Sequence, residues 1–137
     1  MTTINIEFDT ELINSGVACS HAFRDAVNEA GIVAITDVQG RILEVNDNFC
    51  HISGYTREEL IGQNHRILRS TEHTTEFFRD MYRTIARGLT WHGEICNQAK
   101  DGTLYWVDTT IVPMYNNQGK LDGYLVLRID ISEQKWI

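Results

Sequence analysis

The 137-residue sequence predicts an α+β fold, a five-stranded antiparallel sheet with helices on one face and an additional amphipathic helix at the N-terminus. Two observations carry this expectation. The first is the order in which the hydrophobic period changes: period two before Val45, helical spacing between Asn46 and Arg87, and period two again from Trp91. The second is a set of short turn sequences joining neighbouring period-two runs: Asp37-Val38-Gln39-Gly40, Lys100-Asp101-Gly102 and Asn116-Asn117-Gln118-Gly119.

Residues 1–16 are acidic, lack an apolar run and read as a loose tail. Gly16–Ala30 reads as a helix, with Cys19, Ala22, Phe23, Ala26, Val27 and Ala30 at i, i+3, i+4 spacing. That stripe needs a surface to dock on. Ile32–Thr36 and Arg41–Val45 read as a hairpin around the Asp37–Gly40 turn, whose glycine tolerates positive φ. Short helical pieces follow in NDNFCHISG and TREELIG, the second with Thr56 as N-cap and Glu59 as its capping-box partner. A longer helix is expected over Thr74–Arg87, with Phe77, Phe78, Met81, Tyr82 and Ile85 on its apolar side and Gly88 as C-cap. Trp91–Gln98, Leu104–Met114 and Gly123–Ile131 complete the strands, and Pro113 sits near a strand end, where a missing amide donor is tolerated.

The chain is long enough for one core of its own, which divides it into an N-terminal tail and cap helix over 1–29, a domain over 30–131 and the start of a C-terminal linker over 132–137. Cys19, Cys50 and Cys96 are widely spaced and odd in number, so reduced thiols in a cytoplasmic setting are expected and structural zinc is not. A net charge of −7 argues against a nucleic-acid surface. No segment is apolar enough for a signal peptide or a bilayer span. No nucleophile elbow, Walker loop or His-Glu-x-x-His occurs, so no enzyme is expected; Glu58, Glu59, Asp80 and Glu94 fit solvated faces.

Strand alternation places Trp91, Gly93, Ile95 and Asn97 on one face. An indole, a gap, an aliphatic and an amide suit a flat buried heterocycle, the amide serving a ring edge that carries both donor and acceptor. The same residues also fit a hairpin whose Trp fills the core and whose Asn starts the turn.

From about Ala30 to Lys135 the chain resembles a PAS sensor domain. ITDVQGRILEVNDNFCHISGYTREELIGQNHRIL matches the front half of that family, and WHGEICNQAKDGTLYWVDTTIVPMYNNQGKLDGYLVLRIDISEQK its back half and exit motif. GQNHRILRS stands where flavin-binding members carry Gly-x-Asn-x-Arg, but His65 replaces the cysteine that attacks flavin in the blue-light (LOV) branch. Val107 and Arg128 likewise replace a LOV amide and glutamine, so the sequence is LOV-like without the reactive cysteine and light-driven adduct chemistry is excluded. Trp91-His92-Gly93 followed by Asn97-Gln98-Ala99-Lys100-Asp101 is more similar to the FAD-binding, redox-sensing PAS domains of the NifL and Aer kind.

That resemblance implies non-covalent FAD, with Trp91 packed near the isoalloxazine and Asn97 bonded to its edge; Asn64 fits either a contact with the ribityl chain or a helix cap, and Arg66 either the diphosphate or a solvated charge. Ala34 and His65 stand where NifL-like domains have a serine and a glutamate, which counts against their proton-coupled route. FMN is an alternative. Haem is a weaker one: His65 and His73 flank the start of the long helix, whereas haem PAS domains carry their ligand on it. His21, His51 and His92 read as surface residues. The alternative from another class is a ligand-free dimerisation and protein-interaction module. The expected partners are a second copy, meeting through the N-terminal helix and the outer sheet face of Leu125, Leu127 and Ile129, and an effector outside the chain, such as a histidine kinase, a diguanylate cyclase or a chemotaxis domain.

Overall fold

The computed structural model describes residues 16–135; the loose tail expected before them and Trp136 after them lie outside the described residues. Helix α1 (Gly16–Ala30) ends at a corner where the Gly31 N–H closes on the Val27 carbonyl at 2.8 Å, and the chain then enters β1 (Ile32–Thr36). β1 turns back into β2 (Ile42–Val45) because the Asp37 carboxylate accepts from the N–H groups of Gln39 and Arg41, each at 2.9 Å, while Gly40 takes φ 85°. Arg41, expected to open the second strand, instead makes an isolated bridge to Asn64.

α2 (Asp47–Ser53) and α3 (Arg57–Leu60) are the two short helices expected, and the Thr56–Glu59 capping box forms with both bonds present. A 3-10 turn over His65–Leu68 leads to α4 (Thr75–Ala86), one residue inside the expected bounds at each end: the Thr74 hydroxyl is the N-cap for the Phe77 N–H, and Gly88 ends the helix at φ 78°.

β3 (Trp91–Gln98), β4 (Leu104–Tyr115) and β5 (Leu121–Asp130) follow, and the sheet order is β2-β1-β5-β4-β3, antiparallel throughout. The last strand therefore lies in the middle, paired with β1 on one side and β4 on the other. β5 starts earlier than expected because its register with β4 shifts at Met114/Tyr115, which lets Leu121 pair with Tyr115.

Alternate residues of the inner sheet face meet the helices. Ala34, Ile95, Val107, Ile111 and Val126 pack against Phe49 of α2, Leu60 of α3, Leu68 of the 3-10 turn, and Phe78, Met81 and Ile85 of α4. On the opposite face Leu125 and Leu127 are half-buried and Ile129 is exposed, as alternation along β5 requires.

Among the described residues, the apolar stripe expected on α1 is largely uncovered. Ala22, Phe23, Ala26 and Ala30 are exposed, and the helix is fastened at its C-terminal end instead. That fastening comes from Asn46, fully buried at the N-cap of α2. Its Oδ1 accepts from the Val33 and Phe49 N–H groups, each at 3.1 Å, while its Nδ2 donates to the carbonyls of Gly31 at 2.9 Å and Asn28 at 3.2 Å. One side chain thus ties α1, β1 and α2 together.

The exit from the sheet is also fixed. The Ile131 N–H donates to the Trp106 carbonyl at 2.9 Å, the Trp106 N–H donates to Ser132 Oγ at 2.9 Å, and α5 (Ser132–Lys135) places Lys135 Nζ 2.9 Å from Glu94 and over the Trp106 ring.

Candidate functional site

On β3 the alternation holds from Trp91 to Ile95, after which Cys96 on the other face is buried as well. Asn97 is 3% exposed and lies on the inner face with Ile95, so it is an interior strand residue and not the first residue of a turn. Its amide nitrogen is buried without a hydrogen-bond partner. Tyr105 lies opposite in register; burial pushes its phenol up to about 12, and the Asn97 amide pulls on the phenol oxygen without closing a well-formed bond.

Trp91 corrects one expectation. Its indole folds back across Gly93, where a Cβ would lie 2.6 Å from the ring, and it meets the Phe77 ring edge-on at 5.6 Å. The gap at Gly93 is therefore filled by the protein's own tryptophan and not left for a guest.

Arg128 is a buried charged group, which β5 points inward at 5% exposure between Thr109 of β4 and His65 of the 3-10 turn. Its Nε donates to Thr109 Oγ1 at 3.3 Å, and its terminal nitrogens lie 3.2 and 3.4 Å from the two ring nitrogens of His65. Burial lowers the Arg128 pKa to about 10, which leaves it charged at neutral pH. Burial first, then the guanidiniums of Arg128 and Arg69, push His65 well below its usual 6.5, so its imidazole is neutral. Beside this pair lies a cavity of about 40 Å³, bordered also by Thr36, Tyr82 and Tyr124. That space holds roughly three waters, whereas a drug-sized guest needs about 300 Å³ or more.

The neutral His65 sets an acid limit on stability. In the unfolded chain its imidazole takes a proton near 6.5, and in the folded chain only at lower pH. Its contribution is whole above that value and is lost as pH falls below it, at up to about 1.4 kcal/mol per pH unit. His65→Gln is expected to flatten this acid limb in urea unfolding between pH 7 and pH 5. Part of the slope should remain, because burial also lowers His73. An unchanged slope would show that His65 titrates alike in both states.

The other expected site residues separate. Ala34 and Val107 are fully buried on the inner face. The Asn64 amide is occupied structurally, accepting from the Arg66 N–H and donating to the Gln39 carbonyl, each at 3.0 Å. Arg66 is exposed on the 3-10 turn. Sequence reasoning missed Arg69, whose guanidinium lies 4.0 Å over the Phe78 ring and reaches the Tyr82 hydroxyl at 3.3 Å. It also missed Thr109, which alternation along β4 could have placed inside.

Both candidate iron ligands are engaged within the protein: the ring nitrogens of His65 face Arg128, and Nε2 of His73 accepts from the Cys96 N–H at 2.8 Å. His21 and His51 are exposed, and His92 faces outward to Asp108 at 2.7 Å. Among the described residues, no group of three or more His, Cys, Asp or Glu is placed to hold a metal, and Cys50 and Cys96 are free thiols.

A family model described as "PAS domain" matches residues 29–133, from the end of α1 through the sheet to the exit turn. The chain belongs to the PAS domain family. Over 136 residues it is 35% identical to the nitrogen fixation regulatory protein of Klebsiella pneumoniae, a match covering 95% of this chain and 28% of that protein. It is 35% identical over 108 residues to the aerotaxis receptor of Escherichia coli (strain K12), covering 79% of this chain and 21% of the receptor. The PAS domain thus spans under a third of each of these relatives. Among solved structures, a PAS domain from Colwellia psychrerythraea superposes with a TM-score of 0.72 at 27% identity, covering 82% of this chain and 97% of that one.

Proposed function

We propose that this PAS domain is a sensory module that binds FAD non-covalently and reports redox state or oxygen to an effector. The observation that carries the reading is the buried Asn97 amide nitrogen without a partner on the inner face of β3. A donor in that condition costs about 1–3 kcal/mol unless a ligand meets it. Similarity to a nitrogen fixation regulatory protein and to an aerotaxis receptor supports the sensory part.

The donor set fits a flavin. Asn97 offers a donor and an acceptor, Arg128 a cation, the neutral His65 one donor and one acceptor, and Trp91 with Phe77 an aromatic wall. Arg69, half-buried over the Phe78 ring, is a second cation beside Arg66 that could serve the phosphates. The free volume is small, so admitting the ring requires Arg128 and His65 to change rotamer. When bound, FAD supplies a ring whose edge changes its hydrogen-bonding groups on reduction.

Asn97 answers from the inside of β3, while Glu94 on the same strand holds Lys135 of the exit turn. A shift of β3 is thereby felt at α5. We place the module in the cytoplasm and expect two copies to meet through α1 and the apolar face of Leu125, Leu127 and Ile129. No helix of the described residues is long and apolar enough to cross a membrane.

The 40 Å³ cavity favours a second reading, a PAS module that works through protein contacts without a ligand. Purified protein, reconstituted with FAD if colourless, separates the two. Bound oxidised flavin, identified as FAD by mass spectrometry after release, is the expected result. A protein that takes up no flavin would overturn the first reading and leave the second.

A further inference from the structure

Arg128 is a buried cation without a matching anion. Its guanidinium carries five N–H groups. Thr109 Oγ1 accepts one; it donates its own proton to the Val107 carbonyl at 3.3 Å, which leaves its lone pairs free for this. His65, held neutral, has a single ring lone pair, so only one of its two contacts with Arg128 is a hydrogen bond. At least three N–H groups are left without a protein acceptor at 5% exposure. Among the described residues no carboxylate pairs with the guanidinium. What faces it is Tyr82 from α4, Tyr105 and Thr109 from β4, and His65 from the 3-10 turn, none of them a carboxylate. A buried charge in that condition is strongly unfavourable, and the 40 Å³ cavity opens beside it.

We propose that Arg128 is a ligand-binding residue that stabilises negative charge on the ring of the bound flavin. The proposal rests on the flavin reading above and goes past it. A neutral ring offers carbonyl oxygens to the three unmet donors, but only a ring that has gained negative charge answers the cation itself, and a charge pair at 5% exposure is stronger than one in open water. The side chain thereby favours states of the ring that carry negative charge over the neutral oxidised state.

Sulfite is the probe, because it adds charge to the ring without protons or a second reagent. Its sulfur lone pair forms a bond to N5, the N5=C4a π pair moves into the N1–C2 carbonyl system, and the two negative charges of sulfite end as one on the sulfonate and one on the ring. The full chain loaded with FAD is titrated with sulfite, and bleaching of the visible flavin band gives the affinity.

The wild-type protein is expected to bind sulfite about tenfold or more tightly than free FAD does, Arg128→Gln to lose about tenfold or more, and Arg128→Lys to keep most of the gain. Flavin-loaded wild type no better than free FAD overturns the proposal even if no variant can be loaded, and so does an Arg128→Gln protein that matches wild type. Either result leaves flavin binding intact, whereas failure of the wild type to take up FAD removes the reading beneath it.

Discussion

Replacing Asn46 with alanine is expected to lower the unfolding free energy by about 2–4 kcal/mol, a large share of what a domain of this size possesses. The expectation is built from the bonds lost. The helix cap on Phe49 accounts for about 1 kcal/mol. The Val33 N–H then loses its side-chain partner beside a fully buried position, at about 1–3 kcal/mol, whereas the Gly31 and Asn28 carbonyls keep Asn48 Nδ2 as a donor at 2.9 and 3.1 Å. Asn46→Asp separates the parts, since it keeps both accepted bonds and loses the two donated ones, and it should fall between alanine and wild type. Urea unfolding of the three proteins measures the series. A loss under about 1 kcal/mol for alanine would mean that water or a backbone shift replaces the clamp.

Asn97→Ala is expected to act in the opposite sense on stability and strongly on ligand. Truncation removes a buried amide nitrogen with no partner, so the ligand-free protein should keep its unfolding free energy within about 1 kcal/mol or gain slightly. Affinity for FAD should fall by about tenfold to a hundredfold, the worth of one or two buried hydrogen bonds to a ring edge. Flavin fluorescence titration set beside urea unfolding reads both quantities. Unchanged FAD affinity would remove Asn97 from the site. A fall in affinity that merely followed a fall in stability would make it a packing residue.

These two asparagines also mark what could be read from the residues alone. Period-two spacing placed Asn97 on the inner face because its neighbours Trp91, Gly93 and Ile95 share its parity, and that is a local property. Asn46 sits at the point where the period changes, and its partners lie in α1 and β1, which no periodic pattern connects to it. Arg128 shows the same limit. Alternation turns it inward, yet its meeting with His65, 63 residues earlier, arises from β5 threading between β1 and β4. Trp91 illustrates a different failure, because a glycine two residues along the strand was read as space for a guest when it accommodates the indole itself. Family resemblance supplied the topology and the general region of the pocket; the filling of that pocket by Arg128 and His65 belongs to this chain's own packing.

The bonds between the exit turn and β4 bear on where this sensor ends as a transplantable part. Because the amide of Trp106 is accepted by Ser132 and its carbonyl is met by Ile131, a chimera spliced at Asp130 would strip two hydrogen bonds from a strand it left otherwise untouched. Lys135, held to Glu94 and over the indole, is the first sound splice point. A linker grafted there inherits its heading from the sheet, so the pitch of whatever helix follows is set by the donor and not by the recipient.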